Sequence, residues 1–321
     1  MSLAVAIQMD PIESVNIDVD STFVLALEAI RRGHALWHYL PQHLMLREGR
    51  LHARARRLVV RRERGNHFTL GGFEDLDLST MDIVLMRQDP PFDMAYITAT
   101  HLLEHIQPRT LVVNDPVEVR NAPEKLFVTH FRGLMPPTLI ASDKAAIEAF
   151  RAEHGEIVIK PLYGNGGSDV FRVTAGDENF NALVEMFSRL NREPLVVQRY
   201  LPEVRKGDKR IVLVDGVPKG AVARIPKAGE ARANLHVGAR AEKATLSARD
   251  KEICAAIGPV LKERGLVFVG IDVIGGYLTE INVTSPTGIQ EINRFDGVAI
   301  EVDLWEAIER RFAARHDHRP M

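Results

Sequence analysis

The sequence has little cysteine, no long apolar run and almost no net charge. Its one cysteine among 321 residues, Cys254, excludes an internal disulfide framework and is typical of a protein from a reducing compartment. No apolar run approaches the roughly 18–20 residues that a membrane helix needs, and the opening residues lack the basic start of a signal peptide. A net charge of −2 provides no basic field for nucleic acid or an anionic membrane. These absences predict a cytoplasmic protein that binds neither.

The chain is long for one compact core, so its length of 321 residues predicts two or three domains. In the first part, predicted strands at residues 3–9, 83–87 and 111–114 alternate with helical patterns. Such alternation is typical of a parallel α/β sheet. We predict this sheet over roughly residues 1–120.

The second half is richer in short strands joined by glycine-containing turns. These strands are predicted at residues 157–161, 169–173, 196–201, 210–215, 221–225, 266–274 and 278–283. Dense hairpins of this kind favour mixed or antiparallel sheets with helices on one face. One helix is marked clearly, because Ser247 is a suitable N-cap and Ile253, Ile257 and Leu261 form one apolar stripe.

A lysine and a glycine-rich turn end one of these strands, at Lys160 and residues 164–168. Glycines let backbone N–H groups approach phosphate oxygens, and a lysine adds positive charge beside them. The segment therefore has the composition of a phosphate-binding turn. The alternative is an ordinary hairpin whose glycines only supply positive φ angles, with Lys160 in solvent, and the segment alone does not decide between the two.

Three oxygen-bearing side chains, Asp272, Glu280 and Asn282, lie in two strands near the C-terminus. Glu280 and Asn282 alternate with apolar residues, so they share one face of their strand about 7 Å apart. Oxygen ligands on one face suit Mg²⁺. The alternative interpretation is an edge hairpin with one solvated polar face.

The turn between these strands decides whether Asp272 joins the other two side chains. A two-residue turn at residues 275–276 would place Asp272 opposite Thr279, on the wrong face. A three-residue turn that includes Tyr277 would place it opposite Glu280. We predict the three-residue turn.

Several cations lie between the glycine-rich and acidic segments or before them. They are Lys125, Lys209, Arg210 and Arg224, and each of them, taken alone, is expected to be a surface charge. The polar stretch at residues 226–240 is rich in small residues and is suited to close over a site as a lid. Only the order of these features along the chain indicates a polyphosphate site.

That order matches a known family. The matching segments are residues 9–12, 20–23, 86–93, 124–127, 159–161, 164–167, 198–201, 206–210, 223–226, 270–272 and 279–286. Together they resemble the ATP-grasp ligases, and most closely the bacterial glutathione synthetase family. Gln88 and Asn165 stand where lysine and methionine are common in that family, so the contacts of these two side chains are expected to differ.

The resemblance implies an α/β fold in two parts. A Rossmann-like, parallel-sheet pre-ATP-grasp domain that binds substrate is expected at residues 1–121, followed by a two-lobed α+β ATP-grasp domain at residues 122–321. Its nucleotide lobe would span about 122–202, and its catalytic and metal lobe 203–321 with the lid at 226–240. The family also implies a homo-oligomer, either a dimer or a tetramer.

The resemblance implies the reaction as well. ATP phosphorylates the cysteinyl carboxylate of γ-glutamylcysteine, and the glycine amine attacks the acyl phosphate to give glutathione, ADP and phosphate. The partners are therefore small molecules. Two Mg²⁺ ions are expected with the nucleotide, with Mn²⁺ as an alternative ion. The protein would position the reactants and neutralise charge, without a nucleophile of its own.

The family's site residues transfer onto matching positions of this chain. The implied catalytic residues are Arg210, Arg224 and Asn234, and the implied metal ligands are Asp272, Glu280 and Asn282. The implied ATP contacts are Lys125, Lys160, Gly164, Asn165, Gly166, Gly167, Ser168, Gln198, Arg199, Tyr200, Leu201 and Asp208, with Asp208 at the ribose. The implied substrate contacts are Arg87, Asp89, Ser285 and Gly288.

Other interpretations compete with this one. His101, Glu104 and His105 match the H-x-x-E-H pattern of some zinc peptidases, but surface histidines on a helix are the simpler interpretation. The eight arginines between Arg47 and Arg64 are interpreted as a solvated sheet edge rather than a nucleic-acid site. A ligase for another pair of amino-acid-like substrates and a nucleotide-binding protein without turnover remain as functional alternatives.

Overall fold

The structure, a computed structural model, describes residues 2–227 and 239–317. Within these residues the chain forms three β-sheets, of seven, four and five strands. Each sheet packs against helices, and each is built from a continuous part of the chain. The sheets follow one another in sequence, in agreement with the predicted order of a parallel-sheet part before a hairpin-rich part.

The first sheet comes from the N-terminal part of the chain. Its elements are β1 Ala4–Gln8, α1 Ser21–Arg31, β2 Ala35–Tyr39, β3 Leu44–Arg47, β4 Arg50–Val60, β5 Phe68–Asp77, β6 Ile83–Met86, α2 Met94–Glu104, β7 Leu111–Val113 and α3 Pro116–Arg120. Strands β2, β1, β6 and β7 pair in parallel in that order. Asp20 caps α1 by accepting a hydrogen bond from the Phe23 N–H at 2.6 Å. The predicted parallel sheet is confirmed, and β3, β4 and β5 extend it with antiparallel pairing.

Strand β4, which contains half of the arginines between Arg47 and Arg64, lies inside this sheet. It pairs with β2 and β3 along one side and with β5 along the other, so the interpretation of this stretch as a sheet edge is wrong. Ala53 and Ala55 are buried, whereas Arg54 between them faces solvent and stacks 4.1 Å from the centre of the Phe73 ring. The arginines thus mark a solvated face of the sheet, which the sequence pattern cannot distinguish from an edge.

The second sheet is antiparallel, in the strand order β10-β9-β11-β8. Its elements are α4 Glu124–Phe127, β8 Thr138–Ala141, α5 Lys144–His154, β9 Ile157–Pro161, β10 Phe171–Val173, α6 Phe180–Leu190 and β11 Leu195–Arg199. Ile157 and Ile159 join the apolar core beneath the helices. Because successive side chains of a strand point to opposite faces, Lys160 points away from that core.

The third sheet is also antiparallel, in the strand order β14-β13-β12-β15-β16. Its elements are β12 Asp208–Val214, β13 Val217–Ile225, β14 Arg240–Ala244, α7 Ala248–Glu263, β15 Phe268–Ile274, β16 Tyr277–Asn282, α8 Ile289–Asp296 and α9 Ile300–Asp317. As predicted, Ser247 caps α7 by accepting a hydrogen bond from the Asp250 N–H.

The hairpin between β15 and β16 has an unexpected register. Ile274 pairs with Tyr277, so the turn contains only Gly275 and Gly276, and the predicted three-residue turn is wrong. Both glycines have positive φ angles, which a two-residue hairpin turn of this kind requires.

Asp272 nevertheless pairs with Glu280, as predicted. A β-bulge next to the turn shifts the register between Asp272 and Val273, and Thr279 is the extra residue. The Thr279 hydroxyl donates a hydrogen bond to the Asp272 carbonyl at 3.0 Å. The bulge therefore places Asp272 opposite Glu280, which is the pairing that the longer turn was predicted to give.

Asn114 fastens the N-terminal part to the third sheet. This buried side chain donates hydrogen bonds to the carbonyls of Phe268 and Val283 at 2.8 and 2.9 Å, and it accepts one from the Phe268 N–H at 2.8 Å. All three partners are backbone groups at the ends of β15 and β16. The carboxyl end of β7 is thereby held beside the strands that carry Asp272 and Glu280.

Replacing Asn114 by alanine is expected to lower the free energy of unfolding by about 3 kcal/mol, because three buried backbone groups lose their partners. Thermal unfolding followed by circular dichroism measures the effect. The matched control is Asn179→Ala, since Asn179 is exposed and its side chain does not cap the helix that it precedes. Equal melting temperatures for the two variants would show that Asn114 does not fasten the two parts together.

Candidate functional site

A cavity of about 1090 Å³ lies where the three sheets meet. It is lined by residues from the ends of β1 and β6 in the first sheet, by one face of β9 and β11 in the second, and by one face of β12, β15 and β16 in the third. Such a position, between domains and at the carboxyl end of parallel strands, is typical of ligand sites.

Most of the residues predicted from the sequence line this cavity. They are Arg87, Asp89, Lys125, Lys160, Gly164, Asn165, Gly166, Gly167, Ser168, Gln198, Arg199, Tyr200, Leu201, Asp208, Arg210, Arg224, Asp272, Glu280, Asn282 and Ser285. Gly288 lies next to the lining residue Arg210: a Cβ added to Gly288 would be 3.4 Å from Cγ of Arg210. Asn234 and most of the predicted lid at residues 226–240 lie outside the described residues. Lys209 is not among the residues that line the cavity, and it pairs with Asp250 on α7.

Arg210, Arg224, Asp208 and Asp272 form a buried guanidinium cluster. Arg210 donates two hydrogen bonds to Asp272, at 2.6 and 2.9 Å. Arg224 donates two to Asp208, at 2.6 and 2.5 Å, and also lies 3.0 Å from Asp272. Burial by itself raises the pKa of Asp272, but the two guanidinium groups hold it well below its ordinary range. Asp272 is therefore ionised and presents oxygen atoms to the cavity.

The pairing of strands builds this cluster. Arg210 and Asp272 are register partners on β12 and β15, and Asp208 and Arg224 are register partners on β12 and β13. Directly opposed residues of antiparallel strands point to the same face, so all four side chains meet on one side of the sheet. The other face of β12 carries Ile211 and Leu213 into the apolar core.

Lys125, Lys160, Glu124 and Glu280 form a second group, the lysine cluster. The ammonium group of Lys160 lies 3.2 Å from the Glu280 carboxylate, and that of Lys125 lies 3.8 Å from it. Lys125 also pairs with Glu124 and donates a hydrogen bond to the carbonyl of Gly164. Burial alone would raise the pKa of Glu280, but the two lysines lower it. Burial and the nearby Glu280 carboxylate raise the pKa of Glu124.

The glycine-rich turn forms one wall of the cavity. Gly166 and Gly167 have φ angles of 62° and 80°, which side chains disfavour. The Ser168 N–H donates to the carbonyl of Asn165 at 3.1 Å, which closes the turn. The bond between Lys125 and Gly164 ties this turn to the lysine cluster, so glycine backbone and lysine charge do lie together.

The end of β11 forms the opposite wall. Gln198 donates a hydrogen bond to the Thr138 hydroxyl at 3.0 Å. The Arg199 N–H donates to the Pro137 carbonyl at 3.0 Å, and the Tyr200 N–H donates to the Glu156 carbonyl at 2.9 Å. Two backbone donors of this segment are therefore already used within the protein.

The N-terminal part contributes Arg87, which is buried between the two halves of the molecule. Its guanidinium donates to the Thr22 hydroxyl at 3.0 Å and to the Pro286 carbonyl at 3.0 Å. The Ser285 hydroxyl donates to the Arg87 carbonyl at 3.0 Å. Burial lowers the pKa of Arg87, and it raises that of nearby Asp20. The Asp89 N–H donates to the Asp10 carboxylate at 2.7 Å.

Among the cavity-lining carboxylates that the sequence did not single out are Glu124 and Glu291. Glu124 stands next to Lys125 at the start of α4, and its only sequence signal was that adjacency. Glu291 lies in the first turn of α8, after the matched segment ends, and nothing in the local pattern distinguishes it from a solvated helix residue.

The residues proposed for metal binding fit Mg²⁺ in chemistry. Asp272 and Glu280 present carboxylate oxygens, and the Asn282 side-chain nitrogen lies 3.5 Å from an Asp272 oxygen. Oxygen-only donors suit hard cations. In the described residues no group of three or more histidine, cysteine, aspartate or glutamate side chains is arranged to hold a metal. His101 and Glu104 are exposed and 4.0 Å apart, so the zinc-peptidase alternative finds no support.

Two family models match the chain. The one described as "Prokaryotic glutathione synthetase, N-terminal domain" matches residues 3–120, and the one described as "Prokaryotic glutathione synthetase, ATP-grasp domain" matches residues 124–297. The chain belongs to the prokaryotic glutathione synthetase family. This membership confirms the resemblance seen in the sequence and the predicted fold class. It also confirms the activity that the resemblance implied, that of an ATP-dependent ligase.

Individual relatives agree with this assignment. The glutathione synthetase of Brucella melitensis biotype 1 is 58% identical over 311 residues, which cover 97% of this chain and 100% of the relative. That of Mesorhizobium japonicum is 58% identical over 309 residues, covering 96% and 99%. Among solved structures, the D-cycloserine synthetase DcsG aligns with a TM-score of 0.67 at 19% identity, covering 96% of this chain and 99% of that one, and supports the fold. In the described residues no helix is long and apolar enough to cross a membrane.

Proposed function

We propose that this chain joins γ-glutamylcysteine to glycine in the cavity between its sheets, with ATP as the phosphoryl donor. The observation that carries the proposal is that the guanidinium cluster, the lysine cluster and Arg87 all line one cavity. Phosphoryl transfer followed by amide formation needs cations at the phosphates and a recognition site for the second substrate. The cavity provides both, in two different parts of the chain.

The lysine cluster and the glycine-rich turn are assigned to the phosphates of ATP. Lys125 and Lys160 supply positive charge, and the turn at residues 164–168 supplies backbone N–H groups. The segment Gln198 to Leu201 is assigned to the adenine. Asp208 was expected at the ribose, but both of its carboxylate oxygens bind Arg224, so we assign it to the orientation of that guanidinium.

Asp272, Glu280 and Asn282 are assigned to two Mg²⁺ ions, with Mn²⁺ as an alternative. Bound with the nucleotide, these ions would neutralise phosphate charge. In the present arrangement Asp272 and Glu280 are compensated by arginines and lysines, which are the same side chains assigned to phosphate. When a metal–nucleotide complex binds, the arginines and lysines would pair with phosphate instead of with Asp272 and Glu280, and these two carboxylates would bind the metal.

Arg210 and Arg224 are assigned to the transferring phosphoryl group and to the acyl phosphate. Asp272 and Asp208 place these planar guanidinium groups at the cavity before the nucleotide binds, and Asp208, which is not assigned to metal, can keep Arg224 oriented when charge develops. Arg87, Asp89, Ser285 and Gly288 are assigned to γ-glutamylcysteine. Arg87 reaches from the N-terminal part to the Pro286 carbonyl, beside the cavity, and suits a substrate carboxylate.

The remaining parts of the proposal concern organisation. We assign residues 1–121 to substrate binding and 122–321 to the ATP-grasp domain, with its nucleotide lobe at 122–202 and its catalytic lobe at 203–321. A homo-oligomeric state, as a dimer or tetramer, and a cytoplasmic location remain predictions. Size-exclusion chromatography with light scattering tests the first of these.

The function is tested by ADP release from the purified protein with Mg²⁺, ATP, γ-glutamylcysteine and glycine, with each component omitted in turn. We expect release to need Mg²⁺ and γ-glutamylcysteine, and full turnover to need glycine and to yield glutathione. ATP that is bound but not turned over in the complete mixture would refute the proposed substrates. A screen of other carboxylate–amine pairs would then distinguish a different ligase from a protein without turnover.

A further inference from the structure

The second substrate brings a chemical requirement that none of the residues assigned above meets. The amine of an amino acid is protonated at neutral pH and has no lone pair to attack a carbonyl, so it must lose a proton first. The carboxylates of the two clusters are already engaged by arginine or lysine. Their ordinary role is to hold cations or metal, and they are poorly suited to accept a proton from an amine.

Glu291 is a carboxylate of a different kind. It lines the cavity, its residue is only 4% exposed, and its Oε2 atom has no hydrogen-bond partner among the residues that the structure describes. A buried carboxylate oxygen without a partner is costly, since it has lost water and gained no donor. Because the residue also lines the cavity, a bound group with a donor would relieve this cost once the carboxylate turns toward it.

The helix that carries Glu291 is fixed on both sides. Gln290 donates hydrogen bonds to the carbonyls of Ile17 and Asp20, at 3.1 and 2.6 Å, and so attaches α8 to the N-terminal part. Ile292 packs against Gly220 of β13 so closely that a Cβ on the glycine would come within 2.3 Å of it. The two neighbours of Glu291 in the chain are thus anchored, and the carboxylate between them has a defined position.

The electrostatics agree with a role in accepting a proton. Burial raises the pKa of Glu291, while the positive charges of Arg294 on the same helix and Arg210 on β12 act in the opposite direction and do not cancel the effect. The influence of Arg210 also places Glu291 near the guanidinium that is assigned to the acyl phosphate. Arg210 on β12 donates a hydrogen bond at 3.5 Å to the carbonyl of Thr287, which lies just before α8 in the chain.

We propose that Glu291 binds the ammonium group of the acceptor amino acid and takes one proton from it. The acceptor is glycine if the function proposed above is correct, and this inference rests on that function. The ammonium nitrogen gives one proton to the carboxylate of Glu291, and its lone pair attacks the carbonyl carbon of the acyl phosphate. A C–N bond forms, the C–O bond to phosphate breaks, and a second nitrogen proton leaves with the phosphate. Glu291 then returns its proton to solvent.

The test compares two nucleophiles in the Glu291→Gln variant. Glycine must be deprotonated, whereas hydroxylamine is a neutral nucleophile near pH 8 and attacks the acyl phosphate without a base, giving a hydroxamate. We expect kcat/KM for glycine to fall by about 100-fold or more, as is usual when a general base is removed. Hydroxamate formation with saturating ATP and γ-glutamylcysteine is expected to stay within about threefold of the wild type. The glycine rate of the variant is also expected to rise with pH above neutrality, as the free amine becomes more abundant.

The control variant is Glu306→Gln, the same substitution at an exposed position of α9. We expect it to match the wild type with both nucleophiles. A Glu291→Gln variant that retains its glycine kcat/KM overturns the proposal, and so does one in which glycine and hydroxylamine rates fall together, since that result places Glu291 in the first half-reaction or in the fold. Thermal unfolding of both variants separates these last two causes.

Failure of the proposed function is distinguishable from failure of this inference. If the wild-type protein forms no hydroxamate with γ-glutamylcysteine, the substrate proposal is wrong. If the wild type forms hydroxamate and glutathione but Glu291→Gln loses neither, only the role of Glu291 is wrong.

Discussion

Replacing Glu280 by glutamine is expected to lower kcat for ADP release by about 1000-fold, which corresponds to about 4 kcal/mol in the activation free energy. Glu280 faces Lys125 and Lys160, and it is one of the carboxylates assigned to Mg²⁺. A glutamine keeps the size of the side chain but removes the charge that holds both the metal and the two lysines. The metal-dependent part of nucleotide binding should therefore be lost.

Calorimetric titration with ATP, in the presence and absence of Mg²⁺, measures that part directly. The wild type is expected to bind ATP more tightly with Mg²⁺, and the Glu280→Gln variant to show little difference between the two conditions. Glu185→Gln is the matched control, because Glu185 pairs with Lys144 at 3.4 Å on the surface, and such exposed pairs contribute little. A folded Glu280→Gln variant with kcat within tenfold of the wild type would show that Glu280 does not hold the metal.

Replacing Arg224 by lysine is expected to lower kcat by roughly 100- to 1000-fold with little change in the fold, the range seen when one preorganised donor is removed from a transition state. Arg224 binds both oxygens of Asp208 and also reaches Asp272, which requires a planar group with several donors. A lysine ammonium is a single point charge and cannot hold both carboxylates in the same geometry. The substitution leaves the net charge unchanged, so a fall in kcat would reflect the lost hydrogen-bond geometry of the guanidinium group.

The measurement is steady-state kinetics at saturating substrates, with KM for ATP determined separately. Arg311→Lys is the matched control, since Arg311 donates two hydrogen bonds to Asp215 away from the cavity. An Arg224→Lys variant that retains kcat and only raises KM for ATP would assign Arg224 to nucleotide binding alone and contradict its role at the transferring phosphoryl group.

The secondary structure was predictable where the signal is local. Strand β9 was predicted at residues 157–161, and the structure has it at Ile157–Pro161. Helix α7 was predicted from Ser247 onward, and Ser247 is its N-cap. Apolar periodicity and capping involve residues that are close in sequence, so these signals can be read without knowing any tertiary contact.

The errors arose where the answer depends on a distant partner. The alternation of arginines with Leu51 and Ala53 correctly indicates one solvated face of β4, but an inner strand and an edge strand have the same alternation. The difference lies only in whether a second strand is hydrogen-bonded along the other side. Likewise, Gly275 and Gly276 do form the turn, but the bulge at Thr279 that brings Asp272 opposite Glu280 has no clear local signal.

The sequence by itself determined the family, the order of the elements and many of the charged side chains that line the cavity, because these follow from residue types and spacing. Only the tertiary structure decided how those side chains compensate one another. Arg87 reaches Ser285 across 198 residues of sequence, Asp208 is held by Arg224, and Glu291 is left with a carboxylate oxygen that has no hydrogen-bond partner among the described residues. Charge compensation and burial depend on which strands and helices approach in space, and for residues so far apart in sequence that approach is set by the packing of the whole chain.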